Sequence, residues 1–164
     1  AVLALGDALA VALLDARGFG PEDFARSHPG GSLGRRLLTH VRDVMRVGAA
    51  IPEVDPATSV PAAILEISRG GIGMTAVVTA ERRVIGVVTD GDLRRAFGRE
   101  ADPRHLFVTD IMGRQPRSIG PDRLAVEAVE MMEQHKITQL PVVDGNGILV
   151  GALNMHDLFK AKVI

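Results

Sequence analysis

Two short constellations in this sequence have residue types and spacing that suit chemistry, and each occurs where the backbone changes direction. Thr89-Asp90-Gly91-Asp92 and Asn154-Met155-His156-Asp157 each place a small polar residue three positions before an aspartate, at the junction of an expected strand with an expected helix. That pattern suits a helix capping box, which stabilises a helix start by about 1 kcal/mol and binds nothing. The same residues in two copies facing one cleft also suit contact with a ligand, and both readings stand at this point. The other constellation is Ser27-His28-Pro29-Gly30-Gly31, running on through Ser32-Leu33-Gly34 to Arg35-Arg36. Its glycines and proline indicate backbone that bends tightly or approaches something closely. Taken alone, His28 is an ordinary loop histidine. His40, His105 and the acids show no metal-ligand spacing, and no metal site is expected.

The elements that must position these residues come in duplicate. The stretch from Ile72 to Asp92 answers that from Ile137 to Asp157 at a constant offset, with Ala76-Val77-Val78 against Pro141-Val142-Val143 and Asp92-Leu93 against Asp157-Leu158. Upstream, Val41-Arg42-Asp43-Val44-Met45 answers Val108-Thr109-Asp110-Ile111-Met112, so each unit is expected to open with V-x-D-[VI]-M. In the second unit Pro121-Asp122 is expected to begin a helix with Leu124, Ala128, Met131 and Met132 inward and Glu127, Glu130 and Glu133 toward water. The Met131-Met132 pair reads as core filling. A strand over Ile137 to Val143, a turn at Asp144-Gly145-Asn146-Gly147, a strand over Leu149 to Leu153 and a helix from His156-Asp157 follow. The first unit matches, with Ser59-Val60-Pro61 opening the helix, strands over Met74 to Val78 and Val84 to Val88, and a closing helix over Asp90 to Phe97. The expected fold is therefore α/β, a β-α-β-β-α unit used twice, the copies packed in a pseudo-twofold pair around a cleft.

Ahead of the duplication, Val2 to Ala16 is rich in alanine and leucine, with Gly18 as a stop, and Pro21-Glu22-Asp23-Phe24 starts a second helix. The first helix is apolar on too many faces to stand alone, and it reads as an internal helix of a longer chain and not as a signal peptide. Expected boundaries are 1–40 for this helical lead, 41–100 for the first repeat and 101–164 for the second.

Composition narrows the function. With no Trp or Tyr and five Phe in 164 residues, base stacking on aromatic platforms is largely excluded. A formal net charge of -1 argues against nucleic acid or an anionic membrane as the main partner. Without cysteine there are no disulfides and no thiolate metal sites, which sits comfortably with a cytoplasmic location. No apolar run reaches the roughly 20 residues that span a bilayer.

Ile85-Gly86-Val87-Val88-Thr89-Asp90-Gly91-Asp92-Leu93 and Val150-Gly151-Ala152-Leu153-Asn154-Met155-His156-Asp157-Leu158 resemble the glycine, strand and [S/T]-x-x-D ending of CBS domains, whose tandem pairs are called Bateman modules. The lead, Gly6-Asp7-Ala8-Leu9-Ala10-Val11-Ala12-Leu13-Leu14 and then Phe24-Ala25-Arg26-Ser27-His28-Pro29-Gly30-Gly31, resembles the end of the sugar isomerase (SIS) domain of the D-arabinose-5-phosphate isomerases. That family implies interconversion of D-arabinose 5-phosphate and D-ribulose 5-phosphate through an enediol, on the route to Kdo and lipopolysaccharide, with no catalytic cofactor. It implies an active-site role for His28, the one catalytic residue that carries over. Moving a proton between adjacent carbons also needs a positioned partner base and a phosphate cradle, so the chain by itself is expected to be inactive.

The CBS resemblance implies a nucleotide-type ligand, its ribose hydroxyls on the aspartate, its phosphate near the Ser/Thr and its base against the edge of the first central strand. In the first repeat this gives Thr89 and Asp92 with Met74, Thr75 and Ala76; in the second, Asn154 and Asp157 with Gln139, Leu140 and Pro141. Asn154 departs from Ser/Thr. Arg94 and Arg95 follow Asp92, where the second copy has Phe159 and Lys160, which favours the first pocket for an anionic ligand. His135, Lys136 and His156 are read as solvated surface. Three functions are open: a regulatory module sensing an adenine nucleotide (AMP or ATP) or the activated end product CMP-Kdo; an assembly module with empty clefts, joining copies into a dimer within a larger oligomer; or a stand-alone CBS regulator of another partner.

Overall fold

The computed structural model describes residues 12–13, 16–18, 23, 38–99 and 102–164. His28 and most of the helical lead fall outside the described residues; within them, Ala12, Leu13 and Ala16 are helical and Gly18 has a φ of 63°, as a helix stop requires.

The first repeat runs β1 (Glu53–Val54), α2 (Val60–Gly70), β2 (Met74–Val78), β3 (Val84–Thr89) and α3 (Asp90–Arg99), after a short helix α1 (Val41–Val44). The second begins with α4 (Val108–Ile111) and β4 (Gly113–Arg114), then α5 (Ala125–His135), β5 (Gln139–Val143), β6 (Leu149–Asn154) and α6 (Met155–Lys160). Helix α2 starts where expected: the Ser59 side chain accepts from the Ala62 N–H and Pro61 sits in the first turn. It ends at Gly71, whose φ of 63° lets its N–H reach the Ile67 carbonyl. Helix α5 starts later than expected. Pro121 and Asp122 lie in a turn, and the helix opens at Ala125 because the Glu127 carboxylate accepts from the Leu124 N–H at 2.9 Å, a cap that the proline turn does not provide.

The two hairpins share one register. Met74 faces Thr89 and Ala76 faces Val87, with a shift between Val77 and Val78; Gln139 faces Asn154 and Pro141 faces Ala152, with the same shift between Val142 and Val143. In the second turn, one Asp144 carboxylate oxygen accepts from the N–H groups of Asn146 and Ile148, and Gly147 supplies a φ of 78°.

The sheets are completed by exchange. The first has the order β1-β2-β3-β4, so its last strand comes from beyond the connection between repeats. The second hairpin is flanked by single bridges, Ile119 parallel to Val142 and Arg46 antiparallel to Ala152, and Arg46 comes from the start of the first repeat. The V-x-D-[VI]-M segments therefore cross over. Val41 is fully buried among Ala125, Ala128, Leu140 and Leu158 of the second repeat, while Val108 and Met112 pack with Ala63, Ile67 and Val77 of the first. Burying each valine stabilises the pair by about 1.5–3 kcal/mol. The shared aspartates hold these segments in shape: Asp43 accepts from the His40 N–H and Asp110 from the Phe107 N–H, each at 2.8 Å.

A third cluster joins the copies along their pseudo-twofold axis, with Ile51, Ile72, Met74, Ala76 and Val78 of one against Leu149 and Ala152 of the other. Next to it the hairpin turns are stitched by Val84 N–H to the Gly147 carbonyl and Leu149 N–H to the Arg82 carbonyl. As expected, Met132 fills core, with Met131 packed against the same cluster.

Candidate functional site

The first candidate site forms where β3 runs into α3. Thr89 Oγ1 donates to Asp92 Oδ2 at 2.6 Å, the Thr89 N–H donates to the same oxygen at 2.9 Å, and the Asp92 N–H returns a bond to Thr89 Oγ1 at 3.3 Å. The capping role expected of the pair is thus real, and it uses only one carboxylate oxygen. The other accepts from Arg95 of the next turn, whose side chain is 61% exposed while that of Asp92 is 11% exposed. Because Arg95 reaches the carboxylate from solvent, an anion that takes the guanidinium or a diol that takes the carboxylate can compete with the pair.

Beside this pair lies a cavity of about 230 Å³. Asp92, Arg95, Ala96 and Arg99 of α3 line one side; Leu106, Asp110 and Ile111, entering from the exchanged segment, line the other. Most small-molecule pockets measure roughly 300–1,000 Å³, so the cavity suits a phosphate-ribose-sized portion of a ligand unless Arg95 swings aside. Arg95 and Arg99, one turn apart on the same helix, give it two guanidinium groups for an anion.

Other expected residues take different places. Arg94 is exposed and does not line the cavity. Met74, Thr75 and Ala76 are buried in β2, with Met74 directly opposite Thr89 and the side chains of Met74 and Ala76 in the cluster between repeats. Thr75 is fully buried, and its hydroxyl has no hydrogen-bond partner among the described residues.

At the matching place in the second repeat, the Asn154 N–H donates to Asp157 Oδ2 at 3.1 Å and the Asp157 N–H donates to Asn154 Oδ1 at 3.0 Å. The carboxylate is also gripped from the first repeat. Arg46 Nε donates to Asp157 Oδ2 and Arg46 Nη2 to Asp157 Oδ1, both at 3.1 Å, and Nη1 reaches the Gly70 carbonyl at the end of α2. Gln139 lies across Gly73, where an added Cβ would fall 2.9 Å from Gln139 Nε2, and Leu140 and Pro141 are buried in β5. Sequence reasoning missed Arg46. The available signal was the residue after the shared methionine, arginine at 46 and glycine at 113.

Among the described residues no group of three or more His, Asp or Glu side chains could hold a metal ion. Near the cavity's second wall, hydrogen bonds from Arg104 hold the half-buried Asp102 carboxyl at about 2, in the turn that leads into Leu106.

Comparison with known proteins places this geometry. The CBS domain family matches at residues 41–99 and again at 108–164. Arabinose 5-phosphate isomerase KdsD of Pseudomonas aeruginosa is 51% identical over 162 residues, covering 99% of this chain and 50% of that protein. KdsD of Escherichia coli K12 is 48% identical over 164 residues, 100% of this chain and 50% of that protein, so the chain spans about half the length of the curated relatives it matches. Among solved structures, CBSX2 in complex with AMP superposes with a TM-score of 0.67 at 25% identity, covering 75% of this chain and 95% of the other. The CBS pair of MJ0100, in complex with 5'-methylthioadenosine and S-adenosyl-L-methionine, has a TM-score of 0.67 at 20% identity over 74% of this chain and shares the fold.

Proposed function

Because the chain belongs to the CBS domain family and carries the domain as a tandem pair, we propose that it is the regulatory ligand-binding part of an arabinose-5-phosphate isomerase, with its ligand at Asp92. One observation carries this reading: Asp92 lines a cavity together with Arg95 and Arg99, and the carboxylate oxygen that its helix cap leaves over is held by the exposed side chain of Arg95. A carboxylate beside guanidinium groups is complementary to a molecule that carries both a diol and an anion. AMP in the CBSX2 complex supports an adenine nucleotide. CMP-Kdo has the same pairing of ribose and anion, and as the activated product of the route it would make the module a feedback sensor. Identity to KdsD along the chain supports an arabinose 5-phosphate isomerase as parent. In this reading D-arabinose 5-phosphate and D-ribulose 5-phosphate are the parent's substrates, His28 belongs to its active site and the cytoplasm is its location. The reacting partners of His28 belong to the other half of such a protein, so this chain alone is inactive.

A second reading rests on exposed apolar side chains. Leu65 on α2, Phe97 on α3 and Phe159 on α6 are more than half exposed, and they suit self-association into a dimer. Isothermal titration with CMP-Kdo, CMP, AMP and ATP, alongside sedimentation, tests both. Micromolar binding of one ligand that is lost in Asp92→Ala upholds the sensor. A dimer that binds none of the four replaces it with the assembly role.

A further inference from the structure

The two clefts carry the same aspartate, yet they are occupied differently. Sheet register fixes the comparison: Arg46 bridges to Ala152, and Gly113 pairs with Val87, the residue matching Ala152 in the other copy. Arg46 and Gly113 therefore stand at the same place in the two sites, one with a guanidinium and one with no side chain.

We infer that Arg46 is a built-in occupant of the second cleft, so that the pair takes one nucleotide per chain, at Asp92; this rests on the reading of the Asp92 cleft as the ligand site. The guanidinium meets both oxygens of Asp157 in a fork at 3.1 Å each, the geometry in which arginine binds a carboxylate most firmly. Its remaining nitrogen donates to the Gly70 carbonyl, one of the free acceptors at the end of α2. Each of the three guanidinium nitrogens thus donates once, two of them to the carboxylate that a ligand in this cleft would have to reach. The two aspartates are equally covered, and it is the arginines that differ: Arg46 is 26% exposed and comes from the other repeat, while Arg95 is 61% exposed and comes from the same helix as its partner. Displacing Arg95 moves one surface side chain; displacing Arg46 strips a tie between repeats and leaves a half-buried cation without its acceptors. Lys160, in the sequence place of Arg95, is exposed.

The test counts AMP bound per chain by calorimetry in the wild type, Arg46→Gly and Gly113→Arg. An added Cβ at Gly113 meets only the Val87 carbonyl, at 3.8 Å, so that site accepts a side chain. Expected are one AMP for the wild type, two for Arg46→Gly and none for Gly113→Arg. Should Arg46→Gly not fold, Arg46→Gln keeps the aliphatic stem, loses the fork and is expected to bind two. Two AMP on the wild type, or one on both the wild type and the arginine variants, overturns the inference and leaves the ligand reading in place. No AMP on the wild type but one on Arg46→Gly overturns the single site at Asp92, leaving Arg46 only as the occupant that closes the second cleft. No binding by any variant removes both.

Discussion

Met45 stands where a side chain on Gly151 would begin: a Cβ built on Gly151 falls 2.5 Å from Met45 Sδ and 3.0 Å from the Arg46 carbonyl oxygen. Met112 and the Gly113 carbonyl do the same to Gly86, at the same 2.5 and 3.0 Å. The sulfur can move aside, but the carbonyl belongs to the bridging backbone and cannot. Gly86→Ala and Gly151→Ala should each destabilise the fold by about 1–3 kcal/mol through overpacking. Urea denaturation measures this, and a neutral result would mean the exchanged segments sit loosely.

Thr75→Val should stabilise the protein. The hydroxyl is fully buried and has no partner among the described residues, and removing such a group relieves a desolvation penalty of about 1–3 kcal/mol. A raised melting temperature with unchanged ligand titration is the expected pair of results. A lowered one would reveal a hydroxyl partner.

The two aspartates should separate on substitution. Asp92→Ala removes a cap worth about 1 kcal/mol and the carboxylate of the open cleft, so it should cost stability modestly and ligand affinity at least about tenfold. Asp157→Ala should leave affinity unchanged and cost about 1.5–3 kcal/mol, because Arg46 loses both bonds of its fork. Equal losses of affinity in the two variants would place ligand in both clefts.

Acid should weaken the fold through Glu127 and Glu66. Glu127 is held below its ordinary value chiefly by the hydrogen bond from Arg123, assisted by the Leu124 N–H, and Glu66 chiefly by that from Arg69. A carboxylate depressed in the folded state contributes its full stability above the unfolded value and loses it as pH falls through the folded one. Melting temperature should therefore hold through neutral pH and decline below about 4.5, the ordinary value. Glu127→Gln should flatten part of that decline in thermal melts across pH 2.5–7; an unchanged profile would remove Glu127 from the account.

What the sequence made legible is what neighbouring residues decide. Ser59 and Pro61 open α2, Asp144 to Gly147 turn the second hairpin, and the matching strands and their shared register follow from the duplication. Thr89 and Asp92 were legible as a pair, and the structure makes them a cap that uses one carboxylate oxygen and leaves the other to Arg95. Pro121-Asp122 misled because a proline turn and a helix start share their residues, and only the reach of Glu127 to Leu124 marks the true beginning. The crossing of Val41 and Val108 into the opposite cores, and the grip of Arg46 on Asp157, lay beyond local pattern. Arg46 and Asp157 are 111 positions apart, and hydrophobic periodicity tells which face of a segment is covered but not by which copy.

The crossing also sets an order of events on the ribosome. Val41 is covered by residues from Ile119 to Val163, so its shelter is complete only when nearly the last residue of this chain has emerged. At about 5–20 residues per second, the apolar start of the first repeat waits roughly ten seconds in water, while the first hairpin and α2 already have each other. During that interval this apolar segment is exposed to aggregation, and a pause in translation between the repeats would lengthen the exposure instead of relieving it.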